Sequence, residues 1–157
     1  MHLAADFPDP WPNGDVFEEN AALRLEGDFL SEDFCVLGGK YFMVRAVLEI
    51  PVHGFAKPFG FGCWSTLSRV NFDKYIEGFD DGVYPDIGPW SGWLVNQLAD
   101  YIGTKPEGVW LSPQTNRQRP RLQIQDPAHL LAIDQTNGIT AERVLEIFAR
   151  YGHAPAI

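Results

Sequence analysis

Residues 40–68 constrain the fold of this chain more than any other stretch. Phe42, Val44, Ala46, Leu48, Ile50 and Val52 occupy one parity there, and Tyr41, Met43, Arg45, Val47 and Glu49 occupy the other. Successive side chains of a β-strand point to opposite faces of its sheet, so this alternation specifies a strand with one wholly apolar face. Val52–Pro58 then reverses the chain through Gly54 and Pro58, and a second arm follows over Phe59–Ser68. Phe59, Phe61, Cys63 and Leu67 share one parity of that arm, while Gly60, Gly62, Trp64, Thr66 and Ser68 share the other. The two arms read as a long β-hairpin. Glycines at 60 and 62 leave room for a large ring, that of Trp64 or one from a neighbouring strand, to lie against the backbone.

The flanking segments supply the rest of the architecture. Pro8, Pro10 and Pro12 exclude regular helix from Met1–Gly14, because each ring removes a donor and restricts its predecessor, while Phe7 and Trp11 can pin the segment to the body. A helical turn is expected over Asp15–Ala22 and strands over Leu23–Leu30 and Phe34–Leu37, with Gly38-Gly39 as a tight turn into the hairpin. Phe72, Tyr75, Ile76 and Phe79 recur at helical spacing, predicting a helix over Asn71–Phe79 that Asp80-Asp81-Gly82 ends. Val83–Ser91 reads as loop. Trp93, Leu94, Leu98 and Tyr101 suggest a second helix over Gly92–Tyr101, followed by a turn over Gly103–Gly108. Val109–Thr115 and Arg121–Gln125 form a second candidate hairpin, with Leu122 and Ile124 facing inward. Pro127 opens a candidate helix reaching Asp134, since proline is tolerated at the first helical position. Thr140 caps a last helix through Tyr151, with Ile139 and Val144 at the positions of a hydrophobic staple, Leu145, Phe148 and Tyr151 as its stripe and Gly152 as its stop. The sum is a single α+β domain over 1–157, a mostly antiparallel sheet built on the central hairpin with helices packed on one face.

Charge is distributed unevenly. Residues 1–33 carry Asp6, Asp9, Asp15, Glu18, Glu19, Glu26, Asp28, Glu32 and Asp33 against Arg24 alone, a net of −8 within a total of −9. A near-neutral body with an acidic flank argues against nucleic acid, whose phosphates require clustered Lys and Arg. Two roles suit such a flank: a solvated face that aids solubility, or a surface for a basic protein partner. No run reaches the ~20 apolar residues a membrane helix needs. The N-terminus lacks the basic-then-apolar pattern of a signal peptide, so a cytoplasmic, membrane-free protein is expected.

Chemical signatures are sparse. Cys35 and Cys63 lie far apart within apolar patterns, and Cys63 shares its parity with Phe61 and Leu67, so both read as reduced core residues. No two of Cys35, Cys63, His2, His53, His129 and His153 fall at the short spacings that place two donors on one ion, and no metal or cofactor is expected. Ser65 and Ser68 lack the strained elbow of an activated nucleophile, and the glycines near 38 and 60 lack a phosphate-binding frame, so no catalytic residue is assigned.

Several short motifs converge on one family. Ile50-Pro51-Val52, Trp64-Ser65-Thr66-Leu67-Ser68, Asn71-Phe72, Gly92-Trp93-Leu94, Arg119-Pro120, His129-Leu130 and Gln135-Thr136-Asn137-Gly138-Ile139 make the chain resemble the bacterial domain-of-unknown-function family 2199, from about Phe7 to about His153. The resemblance implies a shared fold and brings no activity with it. Members of that family often open with a Cys-x-x-Cys-Gly segment and a nearby His, a pattern able to hold zinc. Here the sequence opens Met1-His2-Leu3-Ala4-Ala5-Asp6, with no cysteine before Cys35: either this branch lost the segment or the sequence starts after it, and no metal is expected by that route from these residues.

Binding residues are therefore expected on two surfaces. Arg45, Glu49, Trp64 and Ser68 fall on the less apolar face of the hairpin, where a half-solvated face and a ligand surface are both plausible readings. Arg117, Arg119 and Arg121 cluster at the turn of the second hairpin, able to grip an anion or to pair with the acidic flank. Trp90 and Trp93 flank Gly92, where exposure would mark an interface and burial a core plug. Two functional readings follow. One is a non-catalytic interaction module, immunity- or inhibitor-like, for a basic partner. The other is a small-ligand binder or small enzyme with a pocket over Arg45, Glu49 and Trp64, joined by Arg119 and His129.

Overall fold

The computed structural model describes residues 2–98, 101 and 106–151. Its elements are β1 (His2–Ala4), β2 (Phe29–Leu30), β3 (Phe34–Leu37), β4 (Tyr41–Ile50), β5 (Phe59–Leu67), α1 (Arg69–Phe79), β6 (Trp90–Trp93), β7 (Gly108–Ser112), β8 (Arg121–Ile124), α2 (Leu130–Asn137) and α3 (Ala141–Arg150). All eight strands belong to one mixed, mostly antiparallel sheet, giving an α+β fold. The parallel pairs are β1 with β5 and β4 with β8. Among the described residues no helix is long and apolar enough to cross a membrane.

Strand β4 organises the sheet. One edge pairs antiparallel with β5 from Phe42↔Leu67 to Ile50↔Phe59. The other edge is divided between two partners: Tyr41–Val44 pair with β3, and Val47 and Leu48 pair in parallel with β8. At the seam, Arg45 N donates to Asp33 O (3.0 Å) and Val47 N donates to Pro120 O (2.9 Å), so the edge has no gap. Strand β5 is divided in the same way, with β1 against Gly60–Gly62 and a bridge from Ser65 to Leu94 just past β6. Because β8 pairs β7 and β7 pairs β6, the strands β5, β4, β8, β7 and β6 return to their start. The Ser65–Leu94 bridge and the bond from Val95 N to Trp64 O (3.0 Å) hold the chain just past β6 against β5.

The core follows from parity. Phe42, Val44, Ala46, Leu48 and Ile50 are buried together with Phe59, Phe61, Cys63 and Leu67, as the alternation requires. Val109 and Leu111 of β7 and Leu122 and Ile124 of β8 join the same cluster, as do Phe72 and Tyr75 of α1, Leu131 of α2, and Val144 and Ile147 of α3. Phe34 stacks edge-on against Phe72, Tyr75 and Phe79, which locks α1 onto the sheet. Gly38 and Gly39 both take positive φ between β3 and β4, the conformation a tight hairpin turn demands. Ser68 caps α1 and Thr140 caps α3 through their hydroxyls.

Several sequence-based expectations are corrected. The helix over Gly92–Tyr101 is absent from its described residues. Trp90 and Gly92 point inward while Ser91 and Trp93 point out, the period of a strand, and β6 results. Gly92 makes this possible, because a Cβ there would sit 2.2 Å from Thr66 O. The strand over Leu23–Leu30 contracts to Phe29–Leu30, since Gly27 turns the chain with φ +68°. The helical turn over Asp15–Ala22 is a single 3-10 turn at Asn20–Ala22. Helix α2 starts at Leu130 rather than Pro127, because Pro127 and Ala128 lie in a turn held by Asp126 and the cap is His129. On α3, Leu145 faces solvent and Ile147 takes the inward place beside Val144. Of the two rings considered for Gly60 and Gly62, it is the one from a neighbouring strand that lies there: His2 of β1, whose imidazole a Cβ at either position would meet. The expected turn over Gly103–Gly108 falls partly, and Gly152 wholly, outside the described residues.

Truncating the inward face at its centre is expected to cost heavily. Leu48→Ala should lower stability by about 2–5 kcal/mol in denaturant titrations; a near-neutral result would contradict the placement of this face. Gly92→Ala should lose about 1–3 kcal/mol, because the clash is with backbone. Gly60→Ala should lose measurably less, as the added carbon meets only side chains, the His2 ring and a Val47 methyl, and no backbone.

Candidate functional site

The outward face of β4 and β5 pairs Met43 with Thr66, Arg45 with Trp64, Val47 with Gly62 and Glu49 with Gly60. Half of it is roofed by the proline-rich N-terminal segment. Trp11, Leu30, Cys35, Met43 and Trp64 form a second apolar cluster, against which Phe7, Leu37 and Val95 pack. Polar contacts pin the roof. Trp64 Nε1 donates to Ala5 O (3.2 Å), Asn96 Nδ2 to Phe7 O (3.0 Å) and Asp9 Oδ1 (3.1 Å), and Gln97 N to Asp9 Oδ2 (2.6 Å). Asn96 Oδ1 in turn accepts from Trp64 N (2.8 Å), so one buried amide ties the strand to its cover.

Arg45 stands at the seam where β3 gives way to β8. That position brings the residues entering β3, Glu32 and Asp33, and the residue entering β8, Arg119, around one guanidinium. Arg45 is only 8% exposed and lies 5.8 Å from the centroid of the Trp64 ring. Its Nη1 donates to Glu32 O at 3.3 Å and its Nη2 lies 3.7 Å from Asp6 Oδ1. Its Nε is buried without a hydrogen-bond partner. Burial, and then the charge of Arg119, push its pKa down, against the opposing pull of Asp6, Asp33 and Glu32. Arg119 contacts Asp33 at 3.4 Å and Glu32 at 3.8 Å. A cleft of about 610 Å³ opens in front of Arg45, bordered by Asp6, Phe17, Glu18, Glu19 and Glu32.

Much of the acidic flank is engaged within the chain. Asp9 holds Asn96 and Gln97, Asp33 holds Arg119, and Asp28 accepts from Gly38 N (2.7 Å) and Asn13 Nδ2 (2.9 Å). Those bonds, the Gly38 amide first, hold the Asp28 pKa below its usual value. Glu18 takes a two-pronged contact from Arg24 at 2.7 and 2.9 Å, which lowers its pKa as well. Asp6, Glu19 and Glu32 keep their carboxylates toward solvent around the cleft.

The expected binding residues are only partly brought together. Arg45, Trp64 and Arg119 gather at the seam. Glu49 is engaged by Arg121, whose Nη1 also donates to Arg119 O (2.7 Å). Ser68 serves as the cap of α1. Trp90 is buried with its Nε1 on Asp86, while Trp93 is 56% exposed. Arg117 projects from the β7–β8 loop with φ +59°. His129 borders a separate cavity of about 460 Å³ with Asn96, Leu98, Tyr101 and Glu107. Its Nδ1 accepts from Leu131 N, so Nε2 carries the proton and faces Glu107 at 3.5 Å. Sequence reasoning did not single out Phe17 and Asn20, which line the cleft, or Asn96, which fastens the roof.

Among the described residues no three His, Cys, Asp or Glu side chains assemble as a metal site. Both cysteines are free, and burial raises each thiol to about 12.

An α+β protein with one mixed sheet, a buried guanidinium against the Trp64 ring and an acidic rim around it is thereby defined. The chain belongs to the bacterial family described as "Uncharacterized protein conserved in bacteria (DUF2199)", whose model matches residues 2–139. No curated protein and no solved structure matches it.

Thiol chemistry tests the packing around this site. At pH 8 the folded protein should leave Cys35 and Cys63 unmodified by a disulfide reagent over minutes, and both should react on denaturation. Rapid labelling of Cys35 in the folded state would contradict the closed roof.

Proposed function

We propose that this chain is a non-catalytic binding protein that holds a basic segment of another protein at the cleft in front of Arg45. The observation that carries this reading is the concentration of Asp6, Glu19 and Glu32, all solvent-facing, around a single concavity. The net charge of −9 adds a long-range field that speeds encounter with a cationic partner. An immunity- or inhibitor-like protein that neutralises a basic target would use the same chemistry. Asp9, Glu18, Asp28 and Asp33, four of the flank's nine carboxylates, already accept hydrogen bonds within the chain, so recognition falls to the solvent-facing residues at the cleft rather than to the whole segment.

One observation favours the second reading, a small-ligand pocket on the hairpin face. A groove of about 870 Å³ runs past Met43, Thr66 and Leu67 between Tyr41 and Trp93, two rings that are each about half exposed. An apolar concavity of that size suits a drug-sized molecule. The two readings separate by site: an environment-sensitive apolar dye should bind the groove and be displaced by Trp93→Ala, with no dependence on the acidic rim.

The binding reading is tested by calorimetry with an arginine-rich peptide. Binding at about 50 mM salt should weaken by about tenfold or more at about 500 mM, as screening requires. The triple variant Asp6→Asn, Glu19→Gln, Glu32→Gln should abolish it. Unchanged binding by that variant would overturn the reading.

A further inference from the structure

We infer that the cleft reads a carboxylate as well as a cation, so that its ligand is dipolar: a basic amino-acid residue with a free α-carboxylate, as in free arginine or a C-terminal arginine or lysine. The inference rests on the cleft being the binding site, and adds what stands at its floor.

Arg45 is the reason. A guanidinium has five N–H donors and favours two-pronged bonds to planar anions. Arg45 uses these donors poorly. Its one hydrogen bond, to the Glu32 carbonyl, is long at 3.3 Å, and its Asp6 contact, at 3.7 Å, is with a side chain that is 65% exposed. Nε has no partner at all. Removing such a group from water is costly unless an anion and hydrogen bonds compensate it. The Trp64 ring offsets part of the charge, but a π face offers no acceptor in the guanidinium plane. Arg119 adds a second positive charge nearby, and its own carboxylate contacts are no closer than 3.4 Å. Asp6, Asp33 and Glu32 therefore compensate these two guanidiniums only at 3.4–3.8 Å, and none of them forms a two-pronged bond to Arg45.

The rim excludes the simplest anions. Asp6, Glu19 and Glu32 repel phosphate or sulfate at the mouth while attracting an ammonium or guanidinium. A ligand with a carboxylate at one end and a cation a few bonds away satisfies both layers. Its carboxylate lies on Arg45 and its cationic head lies among Glu19 and Glu32. The half-exposed Phe17 ring covers the aliphatic stem between them. A cleft of about 610 Å³ holds one such residue with part of the next.

The test compares three probes by calorimetry: a short peptide ending in arginine with a free carboxylate, the same peptide as its C-terminal amide, and free L-arginine. The free acid should bind about tenfold or more tightly than the amide, and Arg45→Gln should collapse that difference. Since Arg45 is buried, circular dichroism checks the variant, and Arg45→Lys should retain part of the preference. If neither variant folds, the acid-to-amide ratio of the wild-type protein decides alone. Equal binding of acid and amide would overturn the carboxylate site while leaving the cation site standing. Failure of both peptides to bind would overturn the two together. Free arginine binding as tightly as the peptide would identify the amino acid itself as the ligand, and weaker binding would identify a chain terminus.

Discussion

The hydrogen bonding of one strand, Tyr41–Ile50, sets the terms for everything else. Its full-length pairing with β5 fixes a register, and its other edge is shared between β3 and β8 with backbone carbonyls of Asp33 and Pro120 closing the seam. In a strand a slip of one residue would exchange the two faces. The register therefore decides at once that Phe42, Val44, Ala46, Leu48 and Ile50 meet the helices, and that Met43 and Arg45 meet the N-terminal segment. Two apolar clusters on opposite sides of the same strand are the outcome.

The same constraint explains why a guanidinium is held so far from water. Arg45 has outward parity, yet the Trp64 ring, Asp6 and the Glu32 carbonyl lie against its guanidinium. Charge that looks lopsided along the sequence becomes local in space, because the seam gathers Glu32 and Asp33 from one direction and Arg119 from another. The acidic flank is thus partly architecture: Asp9, Asp28 and Asp33 fasten loops, and fewer carboxylates are left to face a partner. What remains at the rim is sparse, but it surrounds a concavity with an incompletely compensated cation at its base.

Local patterns were legible in the sequence, and non-local pairings were not. The alternation of 42–50, the Gly38-Gly39 turn, the Thr140 cap and the burial of Ile139 and Val144 each depend on a few neighbouring residues and appear as read. Strand β6 was obscured because Trp93, Leu94, Leu98 and Tyr101 also fit a helical stripe; only the tight approach of Gly92 to Thr66 resolves the choice. Parallel pairings of β1 and β8 join segments distant in sequence and leave no periodic trace. The His129 cap was missed because an imidazole lacks the hydroxyl or carboxylate that marks most helix starts. At the site, Arg45, Trp64, Arg119 and the acidic flank were each visible. Their meeting was not, since it depends on where β3 ends and β8 begins.

The most direct test of this account follows the Arg45 Nε–H group by ¹H–¹⁵N NMR. Buried and without a protein partner, that proton should exchange slowly and give a resolved signal, which should move when a peptide ending in arginine is added. A signal lost to rapid exchange with water, or one untouched by a peptide that binds, would contradict a shielded cation at the floor of the cleft.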